Sequence, residues 1–385
     1  MRNTRPSRII PFCRSRLQDI GKRLCPWHLV TVCLLVYVAT TLTQHNWDPM
    51  SFVIRGKAFD PRASNDSLGY DGQFAYQIAR RPLDAAPYLD APAYRYQRIL
   101  YPLAARLLSL GSPNLLPWVL IMINVVALPA GTALTEIILT QHEMNRWYAL
   151  TYGLFIGLFM PVRLALTEPL AYLFVQIGVL AFLREQRIDS GAAFAVAALT
   201  REVTLLFPIG IAFRMLSQRR WREGLSWLSL VSGPFLVWQV VLRLWLGEWG
   251  VGSGGALSTP FQPVPFRGWW LMAPLNPVAF AVMSLLVVPM ALAPATLSLL
   301  AALRRLFKGP ASPTTWVLLL NASVFPFLPT SNVLDPLGLS RITAGLVVAV
   351  LDFGAEQRHH RALNYALLWI VTVVFVYQDS LLPTS

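Results

Sequence analysis

The apolar residues of this chain fall in long blocks rather than in short alternations. The first block runs from about Trp27 to Thr43. Others follow at about 115–139, 147–162, 168–183, 191–199, 203–217, 225–246, 277–303, 314–330, 338–352 and 363–378. A helix that crosses the hydrocarbon of a bilayer needs about 20 mostly apolar residues. The pattern therefore predicts an all-α polytopic membrane protein with about ten to twelve spans. The blocks at 191–199 and 203–217 are short and flank Thr200-Arg201-Glu202, which suits a tilted hairpin that does not fully cross. Between the first and second blocks lies the longest polar stretch, carrying Asp48, Asp60, Asp66, Asp71, Asp84 and Asp90. The expected organisation is a basic tail over 1–26, a signal-anchor helix over 27–43, a loop with juxtamembrane helices over 44–111 and a multi-span bundle over 112–385.

Composition excludes a water-soluble domain. Hydrophobic residues make up 55% of the 385 and charged ones 13%, against roughly 25% charged in soluble proteins. The mean hydropathy is +0.51. A net charge of +13 raises the question of nucleic acid, but the Lys and Arg lie between apolar blocks and form no basic stripe interleaved with aromatics. No nucleic-acid partner is expected. The basic residues report orientation instead. With the tail of Arg2, Arg5, Arg8, Arg14, Arg16, Lys22 and Arg23 in the cytoplasm, so are the loops with Arg146, Arg184, Arg187, Arg214, Arg219, Arg220, Arg222, Arg304, Arg305, Lys308, Arg358 and Arg361. The short loops on the other side carry Arg163, Arg201, Arg267 and Arg341. The expectation is a bacterial inner (plasma) membrane protein with its N-terminus cytoplasmic and its first large loop extracytoplasmic. Cys13, Cys25 and Cys33 have neither C-x-x-C spacing nor a histidine at ligand distance in sequence, so no disulfide framework or zinc site is expected.

Chemistry concentrates at the extracytoplasmic ends of the blocks, where Asp71, Arg95, Arg98, Arg163, Glu168, Arg201, Glu202, Asp335 and Arg341 sit beside apolar sequence. Ionisable groups at membrane depth are costly and line a cavity or pair with one another. Gly69-Tyr70-Asp71-Gly72-Gln73-Phe74 reads as an aspartate opening an amphipathic helix, with Phe74 and Ile78 on one face and Tyr70 as a staple. Asp71 is either an N-cap or a general base. Tyr94-Arg95-Tyr96-Gln97-Arg98 places two arginines at i and i+3, as headgroup-level anchors or as forked donors to a phosphate. Thr167-Glu168-Pro169 starts a helix, with Glu168 favoured by the dipole or facing a cavity toward Arg163. Arg201 and Glu202 form an ion pair across a turn, or Arg201 holds a phosphate; Asp335 and Arg341 pair across another turn. His359-His360 is a solvated loop, and the sequons Asn65-Asp66-Ser67 and Asn321-Ala322-Ser323 match by pattern alone.

Taken together, the signal-anchor, the long loop with its aspartate, the Tyr-Arg-Tyr-x-x-x-Leu-Tyr-Pro-Leu run over Tyr94–Leu103 and the Thr-Glu-Pro before a later span resemble the GT-C membrane glycosyltransferases. Within them the chain looks most like bacterial polytopic proteins of cell-surface glycopolymer formation. Local agreement covers Gly69–Arg80, Tyr94–Leu103, Leu166–Leu170 and Leu199–Pro208. The resemblance implies transfer of a sugar from a polyprenyl-phosphate donor to a glycan, lipid or protein acceptor outside the cytoplasm. The family's first-loop catalytic aspartate maps onto Asp71. Many relatives have two acidic residues there, whereas this chain has Asp71-Gly72; a hard divalent metal wants several oxygen ligands, so no cofactor is expected. The expected substrate-binding set is Tyr70, Gln73, Tyr94, Arg95, Arg98, Arg163, Glu168, Arg201, Glu202 and Arg341. Two other readings use the same arginines: a transporter or flippase of lipid-linked sugars, and a non-catalytic component of a polysaccharide assembly complex. Transporters favour repeated halves with paired broken helices, and the interrupted pair near 191–217 has no counterpart in the sequence.

Overall fold

A computed structural model describes residues 24–61, 63, 68–255, 258–274 and 276–377. The basic tail through Arg23, the sequon at Asn65 and the last eight residues lie outside the described residues. Among those described the fold is helical, with no strand. The helices are α1 (Pro26–Gln44), α2 (Gly72–Arg80), α3 (Pro92–Tyr96), α4 (Leu100–Leu108), α5 (Leu116–Gln141), α6 (Leu150–Leu154), α7 (Ile156–Arg163), α8 (Glu168–Leu183) and α9 (Arg187–Thr200). There follow α10 (Leu206–Ser217), α11 (Trp221–Leu246), α12 (Arg267–Trp270), α13 (Pro277–Val287), α14 (Ala293–Phe307), α15 (Pro313–Ser323), α16 (Thr330–Leu334), α17 (Pro336–Glu356) and α18 (His360–Ala366).

Five helical stretches among the described residues are long and apolar enough to cross a membrane: Pro26–Gln44, Leu116–Gln141, Trp221–Leu246, Phe280–Phe307 and Pro336–Glu356. The chain is an integral membrane protein on that ground. The remaining apolar blocks, expected as further spans, are shorter or broken. Glu168–Leu183 and His360–Val376 are apolar but below full spanning length. The block at 147–162 divides at Phe155, whose extended backbone separates α6 from α7. The block at 314–330 stops at Ser323, where Pro326 and Pro329 follow and neither can donate to a continuing helix.

α17 is the central element. Its membrane-length window is 94% buried, against 28% for α11 at the periphery. It packs on α5, α7, α8, α15 and α18, which bury its polar Ser340, Arg341, Thr343 and Asp352 along with its apolar residues. Close approach needs small residues. A side chain at Gly157 of α7 would run into the Ser340 backbone carbonyl of α17, and one at Gly72 into the carbonyl of Leu164. The second contact seats the start of α2 directly on the turn between α7 and α8, which brings Asp71 to the head of the bundle. In Phe280–Phe307, a single π turn over Val288–Leu292 separates α13 from α14. Pro294 has no N–H to return to the Met290 carbonyl one turn back, and Trp369 Nε1 donates to that oxygen instead at 2.8 Å.

The two α7–α17 backbones cannot separate without opening the core. Gly157→Val is expected to lower stability by about 1–3 kcal/mol through overpacking, and a denaturant titration of the detergent-solubilised protein against wild type measures it.

Candidate functional site

Eight charged side chains converge where α2, α3, α8, the α9–α10 turn and α17 meet. Arg341, one turn and a half into α17, donates from Nη1 to Asp71 Oδ2 at 2.7 Å and from Nε to Glu168 Oε1. The same Glu168 oxygen accepts from Arg201 Nη1 at 2.6 Å. Asp71 Oδ1 lies 3.0 Å from Arg95 Nη1. Arg95 in turn holds Asp90 with two parallel bonds, from Nε at 2.7 Å and Nη2 at 2.8 Å. Arg98 binds Glu202 in the same forked way, from Nε at 2.8 Å and Nη2 at 2.6 Å. Four carboxylates, Asp71, Asp90, Glu168 and Glu202, thus balance Arg95, Arg98, Arg201 and Arg341. Burial makes such balance necessary, since an uncompensated charge in a low-dielectric site costs several kcal/mol.

Aromatic rings carry the remaining guanidinium faces. Arg95 lies over Phe74 at 4.2 Å and over Tyr94 at 5.0 Å, Arg98 over Tyr94 at 4.7 Å, and Arg341 over Tyr70 at 5.6 Å. Stacking lets a flat guanidinium be partly dry while its edge stays free for hydrogen bonds.

Several sequence expectations are corrected here. Asp71 stands at the N-cap position with helical φ and ψ, and its side chain makes no cap hydrogen bond; two arginines compete for it more strongly than the backbone N–H groups do. The Tyr70 ring packs partly buried against the core, and its hydroxyl accepts from Arg341 Nη1 at 3.4 Å. Gln73 is buried and structural: Oε1 accepts from Gly56 N at 3.0 Å and Nε2 donates to the Leu68 carbonyl at 2.7 Å, tying down the first loop. Arg163 does not meet Glu168. It donates to the Ser51 carbonyl and lies 5.2 Å over Phe52, clamping the loop to the bundle. Arg201 and Glu202 do not pair with each other; extended backbone at Arg201 sends them to Glu168 and Arg98. Asp335 caps α17 by accepting from Leu337 N at 3.0 Å, which leaves Arg341 to Asp71 and Glu168. Asn321 is buried and donates to the Val317 carbonyl, so its sequon is closed to modification.

A small cavity of about 30 Å³ opens among Asp71, Arg95, Arg98, Ala165, Thr167 and Arg341. That is room for a water or two. Asp71 keeps 29% of its side chain exposed and Glu168 none. Burial pushes the Asp71 carboxyl up, but Arg95 and then Arg341 outweigh it and hold the group well below the usual carboxylate range. Tyr70 moves the other way: burial dominates over Arg341 and keeps its hydroxyl protonated. Thr167 Oγ1, Glu168 Oε2 and Arg201 Nε have no hydrogen-bond partner among the described residues, so the site has unused polar capacity at its floor. No group of three or more His, Cys, Asp or Glu side chains able to hold a metal occurs among the described residues.

Sequence reasoning missed Asp90 and Thr167. Asp90 had a signal, an acid just ahead of a Pro-started turn five residues before Arg95. Thr167 had none beyond its place beside Glu168. No protein-family model matches the chain, and no curated protein or solved structure matches it either.

Glu168 anchors two guanidinium groups at once. Glu168→Ala is therefore expected to cost about 3–5 kcal/mol by taking the carboxylate from buried Arg201 and leaving Arg341 with Asp71 alone, read as a lower unfolding midpoint in a denaturant titration. The sign for pH follows from Asp71. Its carboxylate is depressed in the folded state, so its stabilisation is fully present above the unfolded value near 4 and is lost only as pH falls through the lower folded value. Unfolding scans should show no contribution from Asp71 to any change between about pH 5 and 9; a wild-type minus Asp71→Asn difference that varies across that range contradicts the network.

Proposed function

We propose that the chain is a membrane glycosyltransferase that moves a sugar from a polyprenyl-phosphate donor to an acceptor hydroxyl at the extracytoplasmic face, in the synthesis of a cell-surface glycan or glycopolymer. The observation that carries the reading is the convergence of one partly exposed carboxylate, Asp71, with Arg95, Arg98 and Arg341 around a single cavity. Acid–base chemistry and phosphate recognition need these groups together and little else.

As it stands, Asp71 is too weak a base, because two guanidinium groups stabilise its ionised form. A donor phosphate changes that. Its oxygens take over Arg95 and Arg341, the carboxylate is released, and its affinity for a proton rises toward the ordinary range. The acceptor oxygen then attacks the anomeric carbon while Asp71 takes the hydroxyl proton. The carbon–oxygen bond to phosphate breaks, and the electron pair leaves on the polyprenyl phosphate, whose added charge stays on the arginines. One displacement inverts the anomeric centre. Arg98 and Tyr94 hold the outer edge of the phosphate site, while Arg201 and Glu168 keep Arg341 in position from beneath. In this reading the cavity receives only the reacting atoms, with the sugar in its mouth.

Displacement makes a distinctive prediction for the purified protein in lipid with radiolabelled polyprenyl-phosphate sugars. Asp71→Asn should lose turnover by about 10²–10⁴-fold and yet bind polyprenyl phosphate more tightly than wild type, because the competing carboxylate is gone. Arg95→Gln should weaken that binding. Equal turnover in wild type and Asp71→Asn removes Asp71 as the base. Passage of lipid-linked sugar across vesicles with no transfer replaces the enzyme by a transporter.

A further inference from the structure

A second cavity, far larger than the first, lies on the flank of the bundle. It encloses about 810 Å³ between α13–α14 on one wall, α18 and the 3₁₀ turns over Leu367–Tyr377 on the other, and α17 as its floor. The lining is almost wholly apolar, and its rims are exposed: Leu285, Leu297, Leu368 and Val371 each leave more than half of their surface uncovered. A groove of this size and composition on a membrane helix bundle holds hydrocarbon chains.

Its charges are one-sided. The charged or titratable side chains in the lining are Arg304, His359, Arg361 and Tyr365, all at the end of α17 remote from Arg341. Ser312 Oγ accepting from Gln357 Nε2 at 3.0 Å sets the α14–α15 loop level with the end of α17, so Arg304 and Arg361 flank one opening. Neither arginine has an ion-pair or hydrogen-bond partner among the described residues, and both are exposed. His359 Nδ1 accepts from Ala362 N at 3.1 Å, which leaves its other ring nitrogen for a ligand. At the opposite end, beside Pro336 and Leu337, no charged residue among those described lines the groove.

From this polarity we infer that the groove is a binding site for an anionic glycerophospholipid. Its phosphate sits between Arg304 and Arg361, within reach of His359, and its acyl chains run along α14 and the Leu367–Tyr377 segment toward Pro336. Basic openings between membrane helices bind anionic head groups in this manner. The site lies on the other face of the membrane from Asp71, and its occupancy is independent of any transfer reaction there. The lipid covers the exposed groove walls of α13, α14 and the Leu367–Tyr377 segment, and so stabilises the π turn and its Trp369 bond.

Native mass spectrometry of the delipidated full chain tests the assignment, with dioleoyl-phosphatidylglycerol and dioleoyl-phosphatidylcholine as probes. Wild type should prefer phosphatidylglycerol. Removing each arginine should cut its affinity roughly fivefold, so Arg304→Gln with Arg361→Gln abolishes the preference. Arg305→Gln, next in sequence but outside the groove lining, should leave it intact. Leu297→Trp should fill the groove and weaken both lipids. The side chains substituted are exposed, and an unchanged unfolding midpoint in lipid-free detergent verifies folding. The proposal falls if the double variant keeps the preference or if Arg305→Gln removes it equally. It also falls if polyprenyl phosphate displaces phosphatidylglycerol at equal concentration, or if cross-linking at Leu368→Cys yields a dimer sealed across this face.

Discussion

One guanidinium holds the site end of this molecule together. Arg341 projects from the most buried helix of the fold and spans Asp71 from the first loop and Glu168 from α8. A charge in that position is tolerable only when opposite charges meet it at contact distance. Every element that supplies a partner is thereby fixed against α17. The first loop is not a free extramembrane appendage but a lid bonded to the bundle through Asp71, through Arg98 on Glu202 and through Arg163 on the Ser51 carbonyl.

The same constraint shapes the chemistry. A network in which every arginine already has a carboxylate is stable and unreactive; it becomes useful only if an incoming anion competes for the arginines. The proposed displacement of Asp71 by phosphate uses this competition, since the interaction that depresses the carboxylate at rest is the one the substrate removes. Glu168 does not exchange in this way, because it is fully buried and shared between two guanidinium groups. In the proposed mechanism, support falls to the deeper of two acids in the cluster and reaction to the more exposed one.

The two ends of α17 face different problems. At its start, ionic pairs compensate buried charge within the protein. At its end, Arg304 and Arg361 stand beside an open apolar groove without a protein partner among the described residues, and the compensation is assigned to lipid. A membrane protein has both options, since its solvent is itself part apolar and part anionic.

Much of this was legible in one dimension. Block lengths marked a helical membrane protein, and most of the ionisable residues at one end of the blocks do cluster in space, all but Arg163 and Asp335, because charge beside hydrocarbon has few tolerable explanations. Glycine positions gave no warning that Gly72 and Gly157 mark backbone contacts. Full span count was not legible either, since prolines and an extended Phe155 break apolar blocks whose composition is unchanged. Pairing was least legible of all. Neighbours in sequence, Arg201 with Glu202 and Asp335 with Arg341, turned out to serve different partners, and Asp90 joined the cluster although its place ahead of the Pro92 turn had been passed over. Composition and periodicity determine which residues must leave water and which must find an opposite charge; only the packing of α2, α3, α8 and α17 decides which charge each one finds, because ion-pair energy depends on separation in space and on burial, and neither is a property of the chain order.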